Sequence, residues 1–318
     1  MADTILITGG AGFIGSHLGE LLMVRGDRVV ALDNLNDYYD PAIKRGKLAI
    51  LGRSDRFSFE EGDIRDRDNV RRILDEYRPD AIVHLAAMAG VRPSIERPVL
   101  YADVNVRGTA ILLEEAVQRK MERFVFVSSS SVYGERKNAP FSESDRVDFP
   151  ISPYAATKKA GELLCHTFHH CTGMSVSCLR YFTVYGPRQR PEMAIHMFTR
   201  KVINGETLPV FGDGSSARDY TYVADIADGT ARALDRCKGY RIYNLGGSGV
   251  TKLSRLLEVI SEATGCEAKI ESLPMQMGDV SLTAADITLA RAELGWEPQT
   301  AIESGVRMFV DWYREKTA

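Results

Sequence analysis

Tyr154 and Lys158 lie four positions apart in the segment SPYAATKKAGELL, so a helix would place both on one face. A free tyrosine has a pKa of about 10 and is a poor base at neutral pH. A nearby ammonium group would stabilise the phenolate and lower that pKa. Such a pair can remove a proton from a hydroxyl group while a hydride leaves the same carbon. The spacing occurs by chance on many helices, so this prediction depends on the rest of the chain.

The first predicted strand-to-helix junction is rich in glycine. It contains Gly9, Gly12 and Gly15, among others, in the segment LITGGAGFIGSHLGELL. This spacing permits a tight turn and a close approach of backbone N–H groups to a pyrophosphate. No lysine follows the last glycine, which excludes a P-loop. Asp33 ends the second predicted strand, where an acid can bind ribose hydroxyls, and Asn34 follows it instead of an arginine. The pattern predicts NAD rather than NADP; the alternative is a glycine turn without a ligand.

Two further clusters of polar residues have alternative interpretations. Asp63 follows a third predicted strand in EGDIRD and could meet an adenine, or it could cap the next helix. In CHTFHHC (165–171), His166 and His170 have a spacing that zinc can use. Cys165 and His169 share a neighbouring face, so the four side chains cannot converge from one helix. We therefore predict no metal site.

The elements that must position these residues are short apolar runs separated by amphipathic stretches. Predicted strands are 4–9, 28–33, 81–86, 123–128 and 175–182, and predicted helices are 13–25, 67–77, 105–119 and one from about 152. Strands that read as buried on both faces and alternate with helices indicate a parallel sheet. The fold class is therefore α/β, a doubly wound (Rossmann) sheet. We predict an NAD-binding domain over 1–182 and a smaller substrate domain over 183–318, with some segments returning to the first domain. Helices are predicted there at 222–235, 251–264 and 301–316.

The composition of the 318 residues is ordinary for a globular protein, with a formal net charge of −3. That charge gives no general attraction to nucleic acid or anionic membranes, and no apolar run approaches the roughly 18 residues of a membrane span. The five cysteines form no C-x-x-C pair, which argues for reduced thiols. Because MADTILITGG begins directly on a strand pattern, we predict no signal peptide and a cytoplasmic location.

Several motifs recur along the chain in an informative order. They are the glycine turn, HLAA (84–87), NVRGT (105–109), SSSSVYG (128–134), Tyr154 with Lys158, and GDGSSARDYTYVADIADG (212–229). This order resembles the extended short-chain dehydrogenase/reductase family, in particular its nucleotide-sugar epimerases and dehydratases. The resemblance implies that Tyr154 is the base, that Lys158 is its electrostatic partner and a ribose ligand, and that Ser129 hydrogen-bonds the reacting hydroxyl. Further cofactor contacts implied in the same way are Phe13, Ile14, Ile64, Leu85, Ala86, Ala87 and Asn105.

Residues after Ser129 separate the reactions of this family. The resembling 4,6-dehydratases have an Asp-Glu pair where Ser130 and Ser131 stand, and uronate decarboxylases typically have Glu in place of Ser131. The missing carboxylates argue against both and favour C4 epimerisation of a UDP-sugar by transient oxidation. Decarboxylation remains an alternative. A protein that only senses NAD is another, although it would not need the proton-transfer residues.

The loop TVYGPRQRPEMA (183–194) indicates which sugar is used. It resembles the corresponding loop of UDP-glucuronate 4-epimerases, whereas UDP-glucose epimerases have asparagine where Thr183 stands and no such arginines. A guanidinium group can bind a C6 carboxylate through two parallel hydrogen bonds. We expect Arg190 to make this contact, with Arg188 as the second candidate. The predicted reaction is UDP-glucuronate to UDP-galacturonate. A solvated basic loop and a neutral UDP-hexose substrate are the alternatives.

The resemblance also implies contacts with the rest of the substrate. Arg218 would meet the diphosphate, Phe211 would border the uracil, Arg92 could reach the sugar or phosphates, and Asp279 is a candidate on the uridine side. For Arg218 and Asp279, buried ion pairing is the alternative. Ser130 and Thr183 complete the predicted substrate contacts. Family members often dimerise through a four-helix bundle, so we expect a homodimer formed by residues 100–119 and the Tyr154 helix.

Overall fold

The computed structural model describes residues 2–136, 138–212, 214–247, 249–274 and 282–317. These residues form twelve strands: β1 (Thr4–Thr8), β2 (Arg28–Asp33), β3 (Phe57–Glu61), β4 (Ala81–His84), β5 (Arg123–Ser129), β6 (Ser175–Tyr181), β7 (Thr183–Tyr185), β8 (Thr207–Phe211), β9 (Ala217–Tyr222), β10 (Tyr240–Leu245), β11 (Val250–Lys252) and β12 (Lys269–Leu273). They also form eleven α-helices: α1 (Phe13–Val24), α2 (Pro41–Leu51), α3 (Arg67–Tyr77), α4 (Val91–Glu96), α5 (Pro98–Ala102), α6 (Gly108–Gln118), α7 (Pro153–Thr172), α8 (Ala194–Ile203), α9 (Val223–Asp235), α10 (Leu253–Thr264) and α11 (Ile302–Thr317).

A parallel sheet of seven strands in the order β10-β6-β5-β4-β1-β2-β3 forms the larger part of the fold. Its inner strand β1 includes the apolar residues Ile5, Leu6 and Ile7, which are completely buried because helices cover both faces. On either side of β1 the chain winds in opposite directions, toward β2 and toward β4. Ligands of such sheets bind at this point, outside the carboxyl ends of the strands. The predicted doubly wound fold is confirmed.

Two apolar layers hold the helices against the sheet. On one face Leu18 of α1 and Ile226 of α9 pack on the strands, and on the other face Ile73 of α3, Leu112 of α6 and Cys165 of α7 do so. The layer with α7 fixes the predicted catalytic helix, since its buried face points toward β5 and β6. Helices α5 and α6 are joined without a break by a π-helical turn at Asp103–Arg107.

The chain after residue 182 builds a second, smaller core and also returns to the large sheet. Phe198 of α8, Leu256 of α10 and Phe309 of α11 share this smaller core, beside the sheets β11-β9-β7 and β12-β8. Strand β10 pairs in parallel with β6, and α9 packs in the same layer as α1. The division into domains near residue 182 remains a prediction.

Candidate active site

A cleft of about 380 Å³ opens at the carboxyl ends of β1, β4 and β5. This volume suits a small-molecule or cofactor site. The sequence-predicted residues that line it are Gly9, Gly12, Phe13, Ile14, Gly15, Asp33, Asn34, Asp63, Ile64, Leu85, Ala86, Ala87, Ser129, Ser130, Tyr154, Lys158, Thr183 and Arg190. Residues predicted for a cofactor, for proton transfer and for a substrate therefore share one cavity.

The glycine turn at one wall of the cleft leaves no room for side chains. Gly9 has φ +72°, a conformation that glycine adopts without strain. A Cβ atom at Gly15 would lie 2.4 Å from the Gly9 carbonyl oxygen, so helix α1 can pack this closely only because residue 15 is glycine. The Gly9 N–H donates to the Leu32 carbonyl at 2.7 Å, which ties the turn to β2. The N-terminus of α1 thus faces a cleft that fits a pyrophosphate.

Two aspartates form the acidic end of the cleft. Asp33 is buried at the end of β2, accepts a hydrogen bond from the Leu35 N–H at 2.9 Å, and lies 3.6 Å from the Lys44 ammonium. Hydrogen bonds from the Arg65 side chain lower the pKa of Asp63 to about 2, and the Arg65 backbone and Asn34 contribute to this shift. Asp63 does not cap the following helix, because Asp66 is the N-cap of α3. Both aspartates line the cleft at this end, where a ribose or a base could bind.

Helix α7 brings Tyr154 and Lys158 to the opposite end of the cleft. Ser152 caps this helix by accepting a hydrogen bond from the Ala155 N–H at 3.2 Å, and Pro153 occupies its first position. The Lys158 ammonium donates to the Val127 carbonyl at 2.8 Å. Burial lowers the pKa of Lys158 to about 8. The two residues predicted for proton transfer are therefore adjacent on one helix face, where Lys158 is buried and Tyr154 is partly buried.

Ser129 stands at the end of β5 beside Tyr154. Its hydroxyl accepts from the Ser131 N–H at 3.2 Å and so begins the 3-10 turn Ser130–Tyr133. Burial raises the pKa of Tyr154, while a hydrogen bond with Ser129 and the positive charge of Arg190 act in the opposite direction. This arrangement can hold a hydroxyl group between Ser129 and Tyr154 and take its proton.

Asn105 lies behind the cleft, whereas Ser128 lines it near the end of β5. The Asn105 carbonyl oxygen accepts from the Met88 N–H at 2.7 Å, and its amide group donates to the Met88 carbonyl and to Thr157, each at 3.0 Å. Asn105 therefore joins the loop after β4 to α7 and does not itself line the cleft. Ser128 donates to Glu162 at 2.7 Å, so its role is to connect β5 with α7.

The arginine loop, defined here as residues 186–193, sends its two arginines in different directions. Arg190 enters the cleft, where its guanidinium carbon lies 5.5 Å from the centre of the Tyr38 ring. Its Nε atom lies 2.7 Å from the Glu192 carboxylate. Arg188 points to helix α1, where it forms an ion pair with Glu20, and it is not among the described residues that line the cleft.

A smaller cavity of about 170 Å³ adjoins the cleft and shares Ser130, Ser131 and Thr183 with it. Arg218 lines this cavity, and its predicted contact with the diphosphate remains a prediction. Arg92 lies in the first turn of α4 and lines neither cavity in the described part of the chain. The backbone at position 211 ends β8, and Asp279 lies outside the described residues.

Comparison with known proteins identifies the family. A model of the GDP-mannose 4,6 dehydratase family matches residues 6–309. The chain belongs to this family. The predicted relationship to extended short-chain dehydrogenases/reductases is thereby confirmed. A relative from Thermodesulfobacterium geofontis, named UDP-glucuronate 4-epimerase, is 43% identical over 311 residues that cover 98% of this chain and 96% of the relative.

Solved structures of two epimerases are also similar throughout. UDP-glucuronic acid 4-epimerase from Bacillus cereus, in complex with UDP-glucuronic acid and NAD, has a TM-score of 0.93 at 35% identity, covering 98% of this chain and 99% of that one. UDP-glucose 4-epimerase from Thermotoga maritima, with UDP-glucose, has a TM-score of 0.92 at 33% identity, covering 99% and 100%. The overall fold of this family therefore does not distinguish a uronate from a neutral sugar, and the residues in the cleft must do so.

The cleft also contains residues that the sequence analysis missed. Tyr38, Tyr39 and Lys44 line it from the segment after β2, and Met193 lines it from the arginine loop. Tyr38 and Tyr39 could have been found from the sequence, because they form an aromatic pair in NDYYD a few residues after Asp33, which ends β2. Lys44 is buried on α2, and its charge becomes informative only once that helix is known to pack beside Asp33.

The histidine-rich segment of α7 has ordinary packing partners. The rings of His166 and His170 stack with centres 6.4 Å apart, and His166 contacts the Tyr240 ring edge-on. Across the described residues, no three His, Cys, Asp or Glu side chains are arranged to hold a metal ion. Of the helices in the described part of the chain, none is long and apolar enough to cross a membrane.

Proposed function

We propose that this protein interconverts UDP-glucuronate and UDP-galacturonate by transient oxidation at C4 with tightly bound NAD. The observation that carries this proposal is the entry of Arg190 into the same cleft as Ser129, Tyr154 and Lys158. A guanidinium group beside a proton-transfer group can bind the carboxylate of a sugar that has this carboxylate close to its reacting carbon. The similarity to UDP-glucuronate 4-epimerases of two organisms supports this substrate.

Each residue of the cleft would have a distinct task in this reaction. Ser129 orients the C4 hydroxyl, and Tyr154 takes its proton and later returns it to the C4 oxygen. Lys158 provides positive charge one helical turn away and can bind ribose hydroxyls. The glycine turn at Gly9–Gly15 would hold the pyrophosphate, and Asp33 the adenosine ribose. NAD bound in this cleft would supply the hydride acceptor for C4 and the hydride source for reduction from the opposite face of the sugar.

The carboxylate of the substrate makes the oxidised stage hazardous. Oxidation at C4 gives a β-keto acid, which loses CO₂ when the bond to its carboxylate aligns with the carbonyl π system. We propose that Arg190 binds the carboxylate and keeps it out of that alignment. The half-buried guanidinium group of Arg190 on the Tyr38 ring supports this role, because a stacked arginine has a defined orientation.

The function is tested by incubating the purified protein with UDP-glucuronate and, separately, with UDP-glucose, and following the products by NMR. We expect UDP-galacturonate from the first substrate, no net NADH and little turnover of the second. Conversion of UDP-glucose alone would identify a neutral-hexose epimerase instead. Pentose as the main product of UDP-glucuronate would identify a decarboxylase, and accumulating NADH would identify a dehydrogenase.

Arg190→Ala is expected to weaken substrate binding and to convert part of the UDP-glucuronate into a UDP-pentose. Loss of a charge-assisted bidentate contact is worth about 2 kcal/mol, so KM should rise roughly 30-fold. Arg190→Lys retains the charge but not the fork, and we expect an intermediate product ratio. The measurement is the yield of each nucleotide sugar per turnover. An unchanged epimerisation rate in Arg190→Ala with no pentose would contradict the proposal.

We also infer that the protein is a cytoplasmic homodimer. All five cysteines are free thiols, which supports a reducing compartment. Val99 of α5 and Leu163 of α7 are exposed apolar residues on helices in contact with each other, which supports an interface on this side of the molecule.

A further inference from the structure

The arginine loop is fastened to the helix that begins at the glycine turn. Arg188 has φ +64°, which is uncommon for a residue other than glycine, and its side chain is 11% exposed. Its Nη2 atom donates to His17 Nδ1 at 2.8 Å and also pairs with the Glu20 carboxylate. Both partners lie on α1, more than 160 positions earlier in the chain. The strained backbone therefore persists because these contacts fix it.

His17 is a neutral acceptor in this contact. Its Nε2 atom lies 2.8 Å from the Pro187 carbonyl oxygen, to which only an N–H can donate. Nδ1 is then unprotonated and accepts from Arg188 Nη2, while Arg188 Nε lies 3.2 Å from Nε2 on the same ring. Burial, and next the positive charge of Arg188, lower the pKa of His17 to about 3. The two residues of the loop, Pro187 and Arg188, thus use both ring nitrogens of one neutral imidazole at any pH at which the protein would be assayed.

These contacts connect the two functional ends of the cleft. His17 lies one turn beyond Phe13, whose ring it meets edge-on with centres 5.9 Å apart, and Phe13 lines the cleft beside the glycine turn. On the loop, Arg190 is only two residues beyond Arg188. Between them the Gln189 carbonyl accepts from His196 at 2.8 Å, which secures the other side of the loop. Movement of the loop away from α1 would therefore displace Arg190.

We propose that Arg188 is a positioning residue that fixes the arginine loop on α1 and thereby holds Arg190 at the sugar end of the cleft. This inference rests on the proposed function. Arg188 does not line the cleft, so it acts on the substrate only through Arg190. Because α1 is also the helix whose N-terminus would bind the cofactor, the same contact sets the distance between cofactor and carboxylate.

The product ratio reports this positioning directly. If the carboxylate of the 4-keto sugar is held loosely, its C5–C6 bond can break, CO₂ leaves, and the electron pair moves to the C4 carbonyl as an enolate. The enolate takes a proton from water at C5, and return of the hydride to C4 gives a UDP-pentose. The ratio of pentose to UDP-galacturonate does not depend on how much enzyme is folded. A purely structural role for Arg188 would leave it unchanged.

The experiment compares Arg188→Ala, Arg188→Lys and Glu20→Gln with the unmodified protein and UDP-glucuronate. We expect Arg188→Ala to raise the pentose fraction about tenfold and to raise KM more than it lowers kcat, since small displacements near a reacting group have effects of this size. Arg188→Lys can keep the ion pair with Glu20 but lacks the guanidinium group that also contacts His17. Its ratio of UDP-pentose to UDP-galacturonate should therefore be intermediate. Glu20→Gln should shift the ratio in the same direction by a smaller factor.

Arg25→Ala is the matched control. Arg25 follows the other end of α1 and pairs with Asp27 and Asp235, so its loss removes a tether of this helix without touching the loop. Its product ratio should equal that of the unmodified protein. Hydrogen exchange of the loop amides provides a second measurement without substrate. The Gln189 N–H, which bonds the Gly186 carbonyl at 3.1 Å, should exchange faster in Arg188→Ala and not in Arg25→Ala.

The outcomes separate this inference from the proposed function. An unmodified protein that makes no UDP-galacturonate overturns the proposed function. An active unmodified protein, with Arg188→Ala unchanged in both product ratio and amide exchange, overturns the positioning role alone. If Arg188→Ala does not fold, Arg188→Lys and Glu20→Gln give the same two measurements, and an unchanged ratio in both overturns the inference.

Discussion

At the scale of single residues, the proposed chemistry depends on how the partly buried Tyr154 becomes a base. Burial raises the pKa of Tyr154, which disfavours the phenolate. Ser129 acts against this through a hydrogen bond, and Arg190 through its charge. The substrate carboxylate would partly neutralise Arg190 on binding, so Ser129 and Lys158 must then stabilise the phenolate with the bound cofactor.

Ser129→Ala is therefore expected to raise the pKa of Tyr154. Since the base must be deprotonated, the acid limb of kcat/KM should move to higher pH, and the rate at pH 7 should fall about 100-fold. Ser129→Thr retains the hydroxyl and serves as the control, with an acid limb near that of the unmodified protein. The measurement is a pH profile for UDP-glucuronate turnover. An acid limb at the same pH in both variants would show that Ser129 does not tune the base.

The same scale shows which site residues a sequence can reveal. Gly9, Gly15 and Tyr154 belong to local motifs whose spacing already specifies a turn or a helix face. Tyr38 and Arg188 act through contacts with residues that are distant in the chain. Tyr38 supports Arg190, and Arg188 contacts His17 of α1. Local spacing contains no information on such contacts, so the sequence could rank Arg190 before Arg188 for the carboxylate but could not reveal the contact of Arg188 with α1.

At the scale of elements, helix α7 is locked to the sheet by a buried ion pair. Arg180 of β6 donates to both oxygens of Glu162 on α7 at 2.8 and 2.9 Å, and both side chains are almost completely buried. Glu162 also accepts from Ser128, the residue before Ser129. One carboxylate, a helical turn beyond Lys158, therefore aligns the helix of the proposed base, Tyr154, with the strand that ends at Ser129.

Glu162→Gln is expected to lower the free energy of unfolding by about 3 kcal/mol, because Arg180 would remain buried without its counter-charge. Burial acts to raise the pKa of Glu162, but the contacts with Arg180 outweigh it and hold the pKa below its ordinary value of 4.5. The ion pair's contribution to the free energy of unfolding is therefore complete above pH 4.5. It is lost as the pH falls through the folded-state pKa of Glu162.

Denaturant titration of the cofactor-free protein measures this loss, with Asp228→Asn as the control. Asp228 pairs with Arg232 at 2.8 Å on the surface of α9, where an ion pair contributes less than about 1 kcal/mol. If Glu162→Gln lowered the free energy of unfolding no more than Asp228→Asn does, the buried ion pair would not be the contact that fixes α7.

Most elements followed from periodicity, and the exceptions have physical reasons. The predicted helix 67–77 agrees with α3, and strand 28–33 agrees with β2, because both have uninterrupted patterns and clear ends. Helix α2 was missed because two of its three buried positions are lysines, which the sequence presents as a polar, solvated stretch. The return of β10 to the large sheet was foreseen only in general terms, since strand order is set by tertiary pairing.

At the scale of the whole molecule, exposed apolar residues lie on helices at both faces of the large sheet. Val99 is 80% and Leu163 57% exposed, on α5 and α7, which lie on the same face of the large sheet. Val24, which is 86% exposed, lies on α1 at the opposite face. The proposed homodimer would bury the first pair and leave Val24 in water, so substitutions at these positions test where the interface lies.

Leu163→Glu is expected to convert the dimer into monomers at micromolar concentration. A two-fold interface buries each side chain twice, and each buried leucine contributes about 1.5–3 kcal/mol, so the dissociation constant should rise at least about 100-fold. The added carboxylates would oppose association further. Val24→Glu introduces the same charge on the other face and should leave the dimer intact. Sedimentation velocity over a range of concentrations measures both variants. A monomeric unmodified protein, or a Leu163→Glu variant that sediments as the dimer, would place this apolar face outside any subunit interface.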